Sequence, residues 1–522
     1  MECQTASLLL TIDFGTSITK AVLWDDGGPV AVGRTDIATF HPEPGRAEQD
    51  PDDWWSSTIA ACEQVREQDA SRFRAVTAIG FSTARETFVP VAADGRPLGP
   101  ALLWSDRRAG EEAAALNAIA GGVEALRDRT GMVVDAGSAV AKVAWMSKHK
   151  PSRLRDARWL LGPRDLVFWR LTGEVATDTT LASRTGFYGR DGSLATELGA
   201  GVETRLPPIW SPSTHASLIT DALGIPRGTP VVLGAGDRQC EVLGTGATDS
   251  TPMVSWGTTA NVSVPAATLP QPLPPGLAAS RGAVDGYLIE AGLSASGAAL
   301  TWLQHLTGLD LLALVDAAAA TEPGARGVVA LPWLNGARAP WWHPGARAAF
   351  LNLTPSHGAG DLARAIYEAV AYDVVRCLEA MASAAESGDR ASAAESGDRA
   401  SAAESGDRAS AAESGDRASA VAALAATGGG VAGSLWVELL AAVAGVPVVL
   451  RRSGEAASAG ACLLTGRATE TMVELDRINP VVATTAPDAS LAKRYRDLRP
   501  LVDRVALGVL GLDLSEWSTG WT

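Results

Sequence analysis

Cysteine, histidine and long apolar runs are all scarce in this chain. Five cysteines stand among 522 residues (Cys3, Cys62, Cys240, Cys377 and Cys462), none in a Cys-x-x-Cys pair, and there are six histidines. That supply argues against a disulfide framework and against a zinc site. No stretch approaches the ~18 apolar residues of a membrane-spanning helix, which excludes an integral membrane protein of that kind. Basic tracts are missing as well: 44 Lys and Arg against 59 Asp and Glu leave a net charge of −15. Without clustered cations a nucleic-acid backbone has nothing to hold it. The amino terminus lacks a basic region and its apolar run is too short for a signal peptide. The expectation is a soluble, cytoplasmic protein.

What the chain does have is apolar material, 46% of its residues, with 54 Gly and 29 Pro as punctuation. At roughly 150 residues per domain that suits two or three domains with sizeable cores. Leu8 to Ile12, Ala21 to Trp24 and Pro29 to Ile37 read as strands, the last two joined by the turn residues Asp25-Asp26-Gly27-Gly28. Asp50-Pro51-Asp52-Asp53 then supplies an N-cap, a first-turn proline and acids for the start of a helix running to about Gln68. Ala75 to Phe81 is a further buried strand, so the fold class is α/β.

A repeat lies within the chain. Ile12-Asp13-Phe14-Gly15-Thr16-Ser17 lines up with Val254-Ser255-Trp256-Gly257-Thr258-Thr259, nearly half the chain away, which suggests two similar domains joined near Ser250. A different repeat, Ala-Ser-Ala-Ala-Glu-Ser-Gly-Asp-Arg, occurs four times in succession from Ala382 to Arg417. It follows an amphipathic helix marked by Leu362, Ile366, Val370, Val374 and Leu378. With no large apolar residue it cannot offset its own ordering entropy, so it reads as a solvent-exposed insertion, disordered or a frayed helical extension.

Several short stretches carry chemistry. Asp13-Phe14-Gly15-Thr16-Ser17, with Lys20 just beyond, forms a tight turn whose glycine admits a phosphate, whose hydroxyls and N–H groups donate to it, and whose acid suits hydrated Mg²⁺. The plainer alternative is an ordinary hairpin, but its echo at Gly257-Thr258-Thr259 favours two phosphate turns. Gly234-Ala235-Gly236-Asp237-Arg238-Gln239 follows an apolar strand and presents one carboxylate on a glycine-cushioned turn, a place for a general base. Thr427-Gly428-Gly429-Gly430 lies between an apolar run and a helix, an arrangement that lets a nucleotide approach the backbone. Arg85-Glu86 and Trp104-Ser105-Asp106 each follow an apolar run and carry groups that bind and stack on a polyol, with a surface salt-bridge network as the alternative.

With these pieces the chain resembles the FGGY family of carbohydrate kinases, within the actin-like ATPase superfamily, from Leu8 to about Arg467 apart from the repeats. Asp13 to Ser17 is similar to a phosphate loop shared across that superfamily. Gly236-Asp237-Arg238-Gln239, Pro44-Gly45-Arg46-Ala47-Glu48-Gln49-Asp50-Pro51 and Asn335-Gly336-Ala337-Arg338-Ala339-Pro340-Trp341-Trp342 are more specific, and Gly428 to Gly430 with Leu435-Trp436 resembles the adenosine segment. The resemblance implies two duplicated actin-like, ribonuclease H-like ATPase domains flanking a catalytic cleft. Residues 1–250 would hold the sugar site, the first phosphate loop and the catalytic Asp; residues 251–522 would hold the ATP site. It implies ATP and Mg²⁺ as cofactors. Asp237 becomes the general base and Asp13 positions the metal through water, while Gly15, Thr16, Ser17, Lys20, Gly257, Thr258, Thr259 and Gly428 to Gly430 meet the nucleotide. Arg85, Glu86, Trp104, Asp106, Asp237 and Arg238 meet the sugar.

The substrate is less sharply indicated. Xylulokinases carry Gln-Met-His-Gly where this chain has Thr83-Ala84-Arg85-Glu86, while Arg85, Glu86 and Trp104 are similar to the glycerol-holding set of glycerol kinases. Gly137 stands where glycerol kinases have a tyrosine, which suggests room for a longer polyol or a pentulose such as xylulose. Arg238 replaces a Gln beside the base, which would suit an acidic or extended substrate. The partners expected are a small sugar or polyol, with no nucleic acid, no membrane, and a homodimer left open. Two other readings stay open at this point: an actin-like ATPase of chaperone type, and a sugar-binding regulator without catalysis.

Overall fold

The computed structural model describes residues 7–195, 198, 201–270, 272–396, 421–452 and 454–512. Contacts divide the chain into two units. The first comprises Met1–Gly246, Ala279–Leu288 and Glu455–Pro480; the second comprises Ala247–Ala278, Ile289–Gly454 and Val481–Thr522.

In the first unit, β1 (Leu8–Phe14), β2 (Ile18–Asp25) and β3 (Gly28–Asp36) form an antiparallel meander, with Asp26 and Gly27 as a two-residue turn. β4 (Glu48–Gln49) leads into α1 (Pro51–Gln68), which is capped as its sequence suggests: Asp50 accepts from the Asp52 N–H, and Pro51 needs no partner there. β5 (Val76–Thr83) runs parallel to β1. After β6 (Ala101–Leu102) come α2 (Ala139–His149), α3 (Thr179–Ala182), β7 (His215–Ser217), β8 (Pro230–Val232), β9 (Ala235–Gly236) and α4 (Asp237–Thr245). The sheet is ordered β7-β8-β5-β1-β2-β3, with β9 also on β5. Every residue of β1 is buried, as befits a central strand covered on both faces. On one face Leu10, Ile12, Phe14, Ile79 and Phe81 pack with Trp54 and Val65 of α1.

The second unit repeats this topology. β10 (Met253–Trp256) and β11 (Ala260–Ala266) make an antiparallel hairpin, followed by α5 (Gly297–Thr307) and the long α6 (Ala359–Ser396). β12 (Leu424–Thr427) lies parallel to β10, α7 (Ser434–Ala444) follows, and β13 (Val448–Arg451) is parallel to β12. The chain then forms α8 (Ala456–Ala468), which belongs to the first unit, before returning with β14 (Val481–Thr485), antiparallel to β13, and ending in α9 (Ala489–Leu510). The path β14-β13-β12-β10-β11 thus has the same order and directions as β7-β8-β5-β1-β2. Gly445 ends α7 at φ +71, and its N–H caps the Ala441 carbonyl.

By its contacts, Glu455–Pro480 packs with the first unit. The reason lies in two glycines. A side chain on Gly460 of α8 would strike the Cys240 backbone of α4, and one on Gly244 would strike the Ala456 carbonyl, so the helices cross backbone to backbone. The other side of α8 carries Ala459 and Cys462 into a cluster with Leu9, Val22, Trp24 and Ala78. Ile366, Val370, Val374 and Leu378 of α6 are buried, and the helix continues through the first Ala-Ser-Ala-Ala repeat into the second, ending at Ser396. The remaining repeats lie outside the described residues. Among the described residues no single helix is long and apolar enough to cross a membrane.

Candidate functional site

The first site element sits where parallel strands end, the place α/β sheets commonly bind ligands. Asp13, at the end of β1, lies opposite Ser82 of β5, and Ala235 of β9 lies opposite the same Ser82. Two strand ends therefore bring Asp13 and the Asp237 turn into one neighbourhood. Asp13 is buried, and burial pushes its carboxyl up to about 6, against the pull of Lys20. Its Oδ1 is buried with no hydrogen-bond partner, while Oδ2 lies 3.9 Å from Lys20 Nζ. Lys20 Nζ also binds Glu455 Oε2 at 2.7 Å, and Arg34 binds Glu455 Oε1 at 2.7 Å. Burial works against the Lys20 charge, but Asp13 and Glu455 outweigh it and hold its pKa above the usual value.

Asp237 opens α4 and accepts from the Arg238 N–H at 2.7 Å, with Arg85 Nε 3.3 Å away. Both contacts fall on Oδ1, so Oδ2 is uncommitted on a side chain that is 41% exposed. The turn rests on a buried network. Arg164, fully buried, donates 2.7 Å bonds to Asp165 and Asp178, and also binds the Leu233 carbonyl. Asp178 accepts from the Thr180 hydroxyl, whose oxygen accepts the Gly236 N–H at 2.9 Å. A buried ion pair of this kind adds little net stability, because desolvation offsets much of the Coulomb gain.

The sugar-side residues divide into those that are available and those that are not. Glu86 adopts φ +62, a left-handed backbone that costs a non-glycine residue ~1–2 kcal/mol. Two cations hold it there: Arg184 binds its carboxylate at 2.6 Å, and Lys142 Nζ binds its carbonyl at 2.7 Å. Lys142 donates equally to the Leu103 carbonyl, just before Trp104. Trp104 is half-exposed and donates its indole N–H to Thr16 Oγ1 at 2.8 Å. Glu86 also lines a pocket with Ala84, Ala139, Thr185 and Tyr188.

Three sugar-side positions are already engaged within the fold. Asp106 is completely buried, and its oxygens are taken by Arg108 and by the Ala47 N–H at 2.7 Å, so it braces the framework. Burial opposes its ionisation, but those partners prevail and lower its pKa. Gly137 leaves no vacant space: a side chain there would lie 2.5 Å from the Trp104 carbonyl and 3.0 Å from Arg107. Arg238 is engaged on its own helix, 2.5 Å from Glu241.

In the second unit Gly257, Thr258 and Thr259 are exposed at the turn between β10 and β11. Their carbonyls are already used: Ser296 Oγ and the Gly297 N–H reach Gly257, while the Ser296 and Ala298 N–H groups reach Thr258. That leaves hydroxyls facing solvent. Gly428 and Gly430 press on Trp256, whereas no heavy atom lies within 4 Å of where a Gly429 side chain would stand. The Asn335–Trp342 stretch is framework, with Trp341 donating to Asp373 of α6 at 3.0 Å.

Several of these contributors escaped the sequence reading. Lys142, Arg184, Arg164, Asp178 and Glu455 carry no motif; only the isolation of Lys142 among apolar neighbours on α2 hinted at burial. Among the described residues no three His, Cys, Asp or Glu side chains gather into a metal site. Asp13 with its orphaned oxygen fits a cation held largely by water and by a ligand's own oxygens, the usual habit of Mg²⁺.

Comparison with known proteins agrees with this layout. Residues 8–244 match the N-terminal domain, and residues 253–469 the C-terminal domain, of the FGGY family of carbohydrate kinases. A glycerol kinase of Gloeobacter violaceus is 32% identical over 392 residues, covering 72% of this chain and 77% of that protein. A xylulose kinase of Escherichia coli is 31% identical over 377 residues, covering 70% and 77%. In fold, the crystal structure of Plasmodium falciparum glycerol kinase with ADP superposes with a TM-score of 0.82 at 18% identity, covering 98% of this chain and 99% of that one.

Proposed function

The chain belongs to the FGGY family of carbohydrate kinases, and on that footing we propose that it transfers the γ-phosphoryl group of ATP to a hydroxyl of a pentulose or polyol, giving a sugar phosphate and ADP. The observation that carries this reading is the meeting of two differently placed carboxylates at the ends of β1 and β9. Asp13 is buried with an unsatisfied oxygen; Asp237 is half-exposed with one oxygen uncommitted.

Asp237 is the general base. Arg85 and the Arg238 N–H hold Oδ1, which leaves Oδ2 to take the proton of the attacking hydroxyl. The carbohydrate is held by Arg85, Glu86 and the half-exposed indole of Trp104. In the first unit Thr16 and Ser17 donate to the polyphosphate, the Gly15 N–H being taken by the Ile18 carbonyl. When bound, Mg²⁺ neutralises charge on the β- and γ-phosphoryl oxygens. Asp13 would be the residue to hold it, through its buried, unpartnered oxygen.

Two relatives, 32% and 31% identical, act, by name, on glycerol and on xylulose. The Arg85, Glu86 and Trp104 set favours a neutral polyol, and the filled position at Gly137 gives no support to a longer one. The test is ADP release with Mg²⁺-ATP across glycerol, erythritol, pentitols, xylulose, ribulose and gluconate. One compound is expected to raise turnover well above the sugar-free background. A high background that no compound changes would replace this reading with an actin-like ATPase, and a silent panel with binding alone would favour a regulator.

A further inference from the structure

The stretch Pro44 to Pro51 has no part in the chemistry above, yet it is bonded both to the Thr16 turn and to the Trp104 loop. Gln49 is 2% exposed, and its amide orientation is dictated by its neighbours. The Trp54 indole N–H needs an acceptor and meets Gln49 Oε1 at 2.9 Å, which turns Nε2 to the Thr16 carbonyl at 2.6 Å and the Thr39 hydroxyl at 3.2 Å. On its other side the segment grips the Trp104 loop. β4 pairs with β6, Glu48 opposite Leu102 and Gln49 opposite Ala101. The Leu103 N–H reaches the Ala47 carbonyl, the Arg107 N–H reaches that of Gly45, and Asp106 takes the Ala47 N–H. Trp104 then closes the circuit by donating to the Thr16 hydroxyl.

Thr16 is thus pinned twice, at its carbonyl by Gln49 and at its hydroxyl by Trp104, and both ties run through one small braced loop. A hydroxyl that accepts from the indole has its own hydrogen left to donate. A ligand that covers the half-exposed indole restrains that hydroxyl, but the restraint reaches the turn only if the Thr16 backbone is fixed. Otherwise the turn absorbs it as motion.

We propose that Gln49 is a positioning residue that, together with Trp104, couples occupation of the sugar site to the nucleotide-binding turn, so that sugar tightens nucleotide binding only while Thr16 is held from both sides. This rests on the kinase reading above.

The test measures the dissociation constant of Mg²⁺-ADP by titration calorimetry on the full chain, without and with saturating glycerol, D-xylulose or D-gluconate. In the wild type, a compound that supports turnover is expected to tighten ADP by about fivefold or more, within the range of ordinary coupling. Gln49→Met is expected to bring that ratio to about one while sugar-free ADP affinity changes little. Trp54→Phe removes the partner of Gln49 Oε1 but leaves the tie to Thr16; it is expected to lower the melting temperature and keep the ratio. If Gln49→Met does not fold, Trp104→Phe cuts the circuit from the other side and is expected to abolish the ratio as well. A wild-type ratio in a folded Gln49→Met or in Trp104→Phe would overturn the proposal, as would a ratio that falls in step with melting temperature in the Trp54 variant. A wild type that turns over a sugar without any change in ADP affinity would also overturn it. No turnover with any compound would remove the kinase reading itself, and the proposal with it.

Discussion

Single residues in this site are legible in sequence when a glycine turn presents them and invisible when burial does. Asp13 and Asp237 could be chosen from the glycines beside them. No sequence signal shows that Arg108 and the Ala47 N–H hold Asp106. Replacing Asp237 by Asn keeps its size but not its basicity; kcat is expected to fall about 10²- to 10⁴-fold with ADP affinity unchanged, as steady-state rates and ADP titration will show. Lys142 makes a second case. Burial pushes its ammonium down from the usual 10.5 to about 7, against Glu86, Asp106 and Asp135 and with the help of Arg107. Between those values the folded chain binds fewer protons there than the unfolded chain, so this group's contribution to stability rises from pH 7 upward and is smallest below it. Lys142→Met is expected to flatten that rise in denaturation midpoint. It is also expected to raise the sugar KM, because Glu86 and Leu103 lose their common tie.

At the scale of elements, local signals served well where structure is local. The cap at Asp50, the turn at Asp26-Gly27 and the glycine stop at Gly445 all lie within a few residues of the element they define. The placement of α8 had no such signal, because it depends on Gly460 meeting Cys240 and Gly244 meeting Ala456, contacts made far apart in the chain. Gly460→Val drives a side chain into the α4 backbone and is expected to cost at least about 1–3 kcal/mol, read as a lower midpoint of chemical denaturation. The network beneath the Asp237 turn is similarly hidden. Arg164→Met leaves Asp165 and Asp178 buried without their cation, an expected loss of about 3–5 kcal/mol in the same assay.

For the molecule as a whole, six aligned positions around Gly15 and Gly257, two of them identical, point to duplication, and the two sheets repeat one strand order. The interruption of the second unit by Glu455–Pro480 was not foreseeable from that pattern. The Ala-Ser-Ala-Ala repeats offer no large apolar side chain to any core, so deleting residues 397–417 is expected to leave turnover and melting temperature as they are, measured side by side with the full chain. In a carbohydrate kinase the phosphoryl group leaves ATP for a carbohydrate hydroxyl and not for water. Phosphorus-31 NMR of the enzyme with Mg²⁺-ATP and the active compound of the panel tests this most directly. A phosphate-ester resonance growing one for one with ADP is the expected result; inorganic phosphate alone, appearing at the same rate with and without the compound, would contradict it.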